Sequence, residues 1–134
     1  MPILKLQKKI IRLMTFNSFT AHSNPLFFKL KIFPLNYVYL FNLAKMFHKI
    51  NHNKVVGNYN LTKINNIHNY NTRLAKNINY YQKLNRLNIG LSSFTTNGLK
   101  FWKTIPTEYK VLPFHLFKIK IKQHLLELLQ EDAL

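Results

Sequence analysis

The sequence predicts a mainly α-helical fold, a small helical fragment with a long Asn-rich loop and one short strand or hairpin. Apolar residues recur at helical spacing near both ends of the 134-residue chain, and Asn crowds its middle. Hydrophobic residues make up 47%, including 11 Phe and 7 Tyr, which is enough apolar surface for a core. We therefore expect a helical part at 1–50, an Asn-rich basic and aromatic connection at 51–88, and a segment at 89–134 with a Trp-Pro block and a closing amphipathic helix.

The first predicted helix covers residues 4–14, where apolar and basic side chains fall on different faces. Its apolar face is expected to carry Leu6, Ile10, Leu13 and Met14. A polar break, FNSFTAHSNP, follows it. The next run, LFFKLKIFP, reads as a short extended or helical piece that ends at Pro34.

The second predicted helix begins at Asn36, a residue type that caps helix N-termini. Leu35 before it and Leu40 after it are spaced as a hydrophobic staple. The apolar face of this helix comprises Leu40, Leu43, Ala44, Phe47 and Ile50, and the opposite face comprises Asn42, Lys45 and Lys49. From 51 to 88 the periodicity fades. Because Asn competes with helix by bonding nearby backbone, we expect a long, partly ordered connection there.

The last third of the chain contains three shorter patterns and one long one. Residues 89–96 are predicted as a strand that ends at an Asn97-Gly98 turn. Residues 99–103 offer one helical turn, and Pro106 can begin a short helix to Lys110. The final apolar stripe consists of Phe114, Phe117, Ile121, Leu125 and Leu128. FKIKIK alone alternates like a strand, but the length of the pattern and the helix-forming LLELLQ favour a helix.

Charge is the strongest compositional signal. Lys and Arg number 20 against 4 Asp and Glu, a formal net charge of +16. A chain of this kind is attracted to polyanions, which predicts RNA or DNA as a nonspecific, electrostatic partner. An alternative stays open, because the codons for Lys, Asn, Ile, Phe and Tyr are built largely from A and T. A gene of AT-rich DNA would drift towards this composition without any such partner.

Targeting and membrane signals are weak. The start MPILKLQKKIIRLMTF resembles a mitochondrial transit peptide. The same pattern is also that of an ordinary basic amphipathic helix. We therefore expect the protein in the nucleus or cytoplasm rather than in the mitochondrion. The most apolar stretch, 25–43, is interrupted by Lys29, Lys31 and Pro34, so no run approaches the ~20 residues that span a bilayer. We expect no membrane partner. The absence of Cys removes disulfides and thiolate metal sites.

Enzymatic chemistry is not expected. Acid–base and metal mechanisms need positioned carboxylates, His or Cys, and the acids are only Glu108, Glu127, Glu131 and Asp132. His48 and His52 have the i, i+4 spacing of a helical metal site, but no general base lies between them and no thiol can complete the shell. We predict no catalytic residue, no metal site and no cofactor.

Basic residues interleaved with aromatics can hold single-stranded nucleic acid, since cations meet phosphates and rings stack on bases. The candidate contacts are Lys8, Lys9, Arg12, Tyr70, Arg73, Lys76, Tyr80, Lys83 and Arg86, with Tyr81 beside them. A solvated loop encoded by AT-rich DNA would show the same pattern. Trp102, the only Trp, is predicted to anchor the core rather than to stack on a base.

The order of the pieces is more specific than any one of them. Five pieces follow one another along nearly the whole chain: LQKKIIRLMTFNSFTAHSNPLFFKLKIF, LNYVYLFNLAKMFHKI, IHNYNTR, LNIGLSSFTTNGLKFWKTIP and FHLFKIKIKQHLL. In that order and spacing the chain closely resembles the C-terminal tail of reverse transcriptases from non-LTR (LINE-type, Jockey-like) retrotransposons. The matching residues are Gln7, Lys8, Lys9, Ile11, Arg12, Pro25, Leu26, Phe27, His68, Tyr70, Thr72, Arg73, Gly90, Ser93, Phe94, Gly98, Trp102, Pro106, Phe117, Lys118 and Lys122. Lys103 and Ile105 depart from the family pattern, where Asn and Leu are usual.

The resemblance implies a truncated, non-catalytic fragment of an RNA-directed DNA polymerase, at most a basic segment that binds RNA or DNA. It also implies a further possible partner, the polymerase domain that carries the paired catalytic aspartates in that family. A rival from another class is a ribosomal-type structural protein of an AT-rich organelle, basic and aromatic for packing against rRNA. Such a protein would cofractionate with ribosomal subunits, whereas a retroelement tail would not.

Overall fold

A computed structural model describes residues 2–55, 61–84 and 86–132 of the chain. Over these residues the backbone forms eight α-helices and one 3-10 turn, and an isolated antiparallel bridge joins Lys63 to Tyr80. The helices are α1 (Pro2–Met14), α2 (Ser23–Leu30), α3 (Leu35–Asn51), α4 (Arg73–Lys76), α5 (Asn88–Leu91), α6 (Phe94–Thr104), α7 (Thr107–Lys110) and α8 (Phe114–Glu131). The predicted mainly α fold class is confirmed.

Contacts divide the chain into two compact units. The first combines the residues up to Phe41 with those from Ile119 onward, and the second is Asn42–Lys118. The segments predicted from the sequence at 1–50, 51–88 and 89–134 stay a prediction. Parts of those segments, namely Met1, 56–60, 85 and 133–134, lie outside the described residues.

The first helix forms as predicted, but it packs through a different face. Ile11 is its buried residue, and Leu4 and Gln7 on the same side are half-buried. The predicted core face of Leu6, Ile10, Leu13 and Met14 is exposed instead. Both stripes have helical spacing, so periodicity alone could not decide between them; the packing of Ile11 against α2 decides it.

The piece that ends near Pro34 is helical rather than extended, which settles the alternative left open by its sequence. After α2, Lys31 takes a left-handed conformation with φ of 54°. Its N–H and that of Ile32 donate to the carbonyls of Phe28 and Phe27, at 3.0 Å each. This pair of bonds satisfies the last carbonyls of α2 and turns the chain towards α3.

Gln7 of α1 connects the first helix to the start of α3. Its Nε2 donates to the Phe33 carbonyl at 2.9 Å, and its Oε1 accepts from the Leu35 N–H at 3.0 Å. The prediction that Asn36 caps this helix is wrong. The helix begins at Leu35, and the Pro34 carbonyl accepts its first helical bonds. The Gln7 side chain satisfies the N–H of Leu35, one of the N–H groups that have no partner within a helix.

The core of the first unit is small and apolar. Ile11, Phe27 and Leu129 are fully buried against one another. The half-buried residues packed around them are Leu26, Phe28, Tyr37 and Leu126. Three helices, α1, α2 and α8, therefore supply its buried residues.

The second unit is built around Phe47 of α3. The Phe47 ring lies 5.8 to 6.3 Å from the rings of Phe94, Trp102 and Tyr80, distances typical of interacting aromatic pairs. Trp102 also lies 6.3 Å from Phe117 of α8. Leu43, Ala44 and Phe47 are buried, as expected for the apolar face of the second predicted helix.

The predicted strand at 89–96 and the turn at Asn97-Gly98 are wrong, because both regions are helical. Ser93 caps α6, its Oγ accepting from the Thr96 N–H at 3.3 Å, which commits the following residues to a helix. Gly98 lies inside α6 against the Phe47 ring, with no room for a side chain. A glycine is therefore required at this position for close packing and not for a turn.

The remaining helices follow the sequence pattern closely. Pro106 precedes α7, which ends at Lys110 as predicted. The closing segment is one long helix, so the strand alternative for FKIKIK is excluded. Its buried residues recur every fourth position, at Phe117, Ile121, Leu125 and Leu129. The stripe thus ends at Leu129 and not at the half-buried Leu128.

Candidate nucleic-acid interface

Three of the predicted contacts, Tyr70, Arg73 and Lys76, lie in the second unit, in the loop between Lys63 and Tyr80. Main-chain hydrogen bonds on either side of the Lys63–Tyr80 bridge close this loop. The Tyr81 N–H donates to the Thr62 carbonyl at 2.8 Å, and the Ile64 N–H donates to the Asn79 carbonyl at 3.1 Å. The 3-10 turn Ile64–Asn66 follows directly. The loop between the two arms of the bridge therefore begins and ends at defined positions.

Helix α4 presents two of the predicted cations. Thr72 caps it by accepting the Ala75 N–H at Oγ1, 3.2 Å away, and Ala75 is buried. Arg73 and Lys76 are exposed. Residues three apart share a helix face, so these two side chains lie together on the solvent side of α4.

Tyr70 is the most accessible aromatic residue of the loop, with 77% of its surface exposed. Its ring lies 5.7 Å from that of His68 and is tilted by 45°. His68 is half-buried and Tyr70 projects beyond it. Tyr70 thus places an open ring just before the cations of α4, and a nucleic-acid base could stack there.

Tyr80 does not belong to this surface, and its predicted role as a contact is corrected. It is 2% exposed, its hydroxyl donates to Asn51 Oδ1 at 3.2 Å, and its ring packs against Phe47. Burial raises the pKa of Tyr80 to about 12. Tyr81, the next residue, is exposed, because neighbouring residues of an extended chain point to opposite sides.

The other predicted cations are dispersed. Lys83 and Arg86 are exposed, beyond the bridge. Lys8, Lys9 and Arg12 lie on α1, in the first unit. Lys9 is exposed, whereas the Arg12 Nε donates to the Ala21 carbonyl at 2.8 Å and so helps to hold the loop after α1. The predicted residues therefore form two groups, one in each unit.

Trp102, predicted as a core anchor, is 1% exposed, and its Nε1 donates to the Ile78 carbonyl at 2.9 Å. Beside it lies a buried cation that the sequence did not reveal. Lys110 Nζ donates to the Asn77 carbonyl at 2.8 Å and to Asn79 Oδ1 at 3.2 Å, and lies 5.1 Å from the centre of the Trp102 ring. Burial lowers the pKa of Lys110 to about 8. This ammonium group fastens the end of the loop to the core.

The His48–His52 pair serves packing. Their rings lie 4.3 Å apart, and each Nε2 bonds a main-chain carbonyl, that of Leu112 at 2.8 Å for His48 and that of Lys110 at 3.1 Å for His52. Burial lowers the pKa of His48. No cluster of three or more His, Cys, Asp or Glu suited to a metal ion occurs within 2–55, 61–84 and 86–132.

A second group of cations could not be predicted from the sequence, because its members are distant from one another along the chain. Lys45 and Lys49 of α3 line a recess together with Lys118 of α8, and Phe114 contributes an aromatic ring to it. The i, i+4 spacing of Lys45 and Lys49 was visible in the sequence as the polar face of a helix. The approach of Lys118 depends on how α8 packs within the second unit, which no local pattern encodes.

None of the helices among the described residues is both long enough and apolar enough to cross a bilayer. Comparison of the chain with protein-family models, with curated proteins and with solved structures gave no match.

Proposed function

We propose that this protein is a non-catalytic, basic segment that binds single-stranded RNA or DNA with little sequence preference, and that it descends from the C-terminal tail of a non-LTR retrotransposon reverse transcriptase. The contacts are Tyr70, Arg73, Lys76, Tyr81, Lys83 and Arg86 in the second unit, with Lys8 and Lys9 as a separate basic group. The descent rests on the ordered motifs of the sequence. The binding activity rests on the exposed side chains.

The observation that carries the proposal is the combination of an open aromatic ring and two outward cations within seven residues. Tyr70 is exposed, Arg73 and Lys76 share a face of α4, and the first 107 residues of the chain contain no acidic side chain. Base–aromatic stacking contributes about 1–3 kcal/mol per base and tolerates any base. Ring and cations together favour a single strand over a duplex, whose bases are already stacked.

A comparison of two variants of equal charge tests the loop. The first combines Tyr70→Ala, Arg73→Gln and Lys76→Gln. The control combines Tyr39→Ala, Lys100→Gln and Lys120→Gln, which also removes one exposed tyrosine and two exposed cations. Binding of a labelled single-stranded oligonucleotide is measured by fluorescence anisotropy at one salt concentration.

We expect the loop variant to lose at least about tenfold in affinity, the effect of one stacked base and two phosphate contacts. The control should lose about threefold or less in affinity, which is the effect of its lower net charge alone. Equal losses in the two variants would show that binding depends on total charge alone and would contradict the assignment of the loop.

A further inference from the structure

The recess in the second unit is lined by three cations and no carboxylate. Its lining residues are Asn42, Lys45, Met46, Lys49, Phe114 and Lys118, and its volume is about 380 Å³. Lys45 and Lys49 stand one helical turn apart on α3, and Lys118 reaches the same space from α8. Two helices thus supply like charges to one recess.

The aromatic ring of Phe114 holds two of these cations in place. Lys49 Nζ lies 5.1 Å and Lys118 Nζ 5.3 Å from its centre, both within the range of cation–π attraction. The ring therefore favours the approach of two ammonium groups that repel each other. Like charges gathered around one ring repel each other.

A multiply charged anion would relieve this repulsion. Each ammonium carries three donors and no acceptor, so together they can satisfy the oxygens of a phosphate. The volume of the recess exceeds that of one phosphate group. Asn42, which also lines the recess, can both donate and accept a hydrogen bond.

We propose that this recess is a phosphate site for the backbone of a bound nucleic acid, separate from the Tyr70 loop. The nucleic-acid ligand rests on the proposed function; the anion preference rests on the recess itself. Lys45, Lys49 and Lys118 bind the phosphate oxygens, and Phe114 orients two of the three side chains.

The test uses two triple variants of equal charge. Lys45→Gln, Lys49→Gln and Lys118→Gln empties the recess of cations, and Lys5→Gln, Lys100→Gln and Lys120→Gln is the matched control on exposed positions. Circular dichroism checks that both remain helical. Each is titrated with the single-stranded oligonucleotide and with inorganic tripolyphosphate.

We expect the recess variant to lose at least about tenfold in affinity for both probes. Its plot of log K against log salt should flatten by about 0.7 for each phosphate that the recess no longer neutralises. The control should lose about threefold or less. Equal losses would overturn the recess site and leave the loop proposal standing. Tripolyphosphate binding at the recess without any oligonucleotide binding would overturn the nucleic-acid ligand and the proposed function together.

Discussion

Gly98 of α6 lies against the ring of Phe47, and the packing there allows no side chain. A Cβ atom at this position would lie 2.6 Å from Cζ of Phe47 and closer still to Cε2. In an open helix Gly→Ala stabilises by about 1 kcal/mol, because Ala is the better helix former. Here the overlap should reverse that sign.

We predict that Gly98→Ala lowers the free energy of unfolding by about 1–3 kcal/mol, the usual cost of overpacking. Urea denaturation followed by circular dichroism measures it. Lys100→Ala, at an exposed position two residues later in α6, is the control and should change stability by less than about 0.5 kcal/mol. A Gly98→Ala variant more stable than the parent protein would show that α6 and Phe47 are not packed as described.

The buried Lys110 predicts a pH dependence with a defined sign. Its pKa falls from 10.5 to about 8 on burial, so between those values the unfolded chain binds more protons than the folded one. Stability therefore rises with pH across this window. The expected gain is about 2 kcal/mol between about pH 7.5 and about pH 9.5, from 1.36 kcal/mol per pKa unit.

The measurement compares urea unfolding of the parent protein and Lys110→Met across that range. The variant should lack this part of the increase, because it has no group to titrate there. At higher pH Tyr80 has the opposite effect. Its pKa is raised to about 12, so it stays neutral in the folded chain while it ionises in the unfolded chain, and stability falls with pH there. Parallel curves for the two proteins would contradict the burial of a titrating Lys110.

Single residues were the hardest scale to predict from the sequence. Tyr80 and Tyr81 are adjacent and identical, and only the bridge with Lys63 determines which of them enters the core. Lys110 is charged, and a charged residue is normally expected at the surface. It is nevertheless 0% exposed, and its ammonium group donates to Asn77 and Asn79 and lies near the Trp102 ring. Neither outcome has a local signal.

At the scale of elements, α1 has three distinct faces. Leu4, Gln7 and Ile11 face the core, and Lys5, Lys8, Lys9 and Arg12 form a basic face. The third face is apolar and exposed; its residues are Ile3, Leu6, Ile10, Leu13 and Met14. A continuous apolar stripe of this kind favours self-association.

We predict that Leu6→Gln combined with Leu13→Gln reduces self-association and leaves the fold intact. Both side chains are more than half exposed, at 58% and 59%, so each change should alter stability by less than about 0.5 kcal/mol. Sedimentation velocity and urea unfolding give the two readouts. Ile11→Gln, at the buried position of the same helix, is the control and should destabilise by about 2 kcal/mol or more. Unchanged association of the double variant would contradict the role of this face.

Long periodic elements were predictable, and among the shorter helices α7 was predicted from Pro106. The spacing of α1, α3 and α8 identified all three as helices, since many residues contribute to each pattern. Residues 89–96, which form α5 and the start of α6, were predicted as a strand. Ser93, a residue type that caps helix N-termini, argued for a helix beginning there. Asn97-Gly98 argued against it, because this pair is typical of a turn.

At the scale of the whole molecule, charge is what the proposed function depends on. The net charge is +16, and the four acidic residues all lie at or beyond Glu108. The excess is read directly from the sequence, and the polyanionic partner that it predicts stays a prediction. The sequence could not predict which cations converge, because Lys118 meets Lys45 and Lys49 only through tertiary packing.

The most direct test of the proposed function is the salt dependence of binding to a single-stranded oligonucleotide. Displacement of counterions from about 5 phosphates predicts that log K falls with log salt at a slope of about −3.5. The titration is repeated at several salt concentrations with the parent protein, and a neutral peptide–nucleic-acid strand of the same sequence serves as the control. A slope near −3.5 with no binding to the neutral strand is the predicted result. A flat response, or equal binding to the neutral strand, would contradict nucleic-acid binding as the function of this protein.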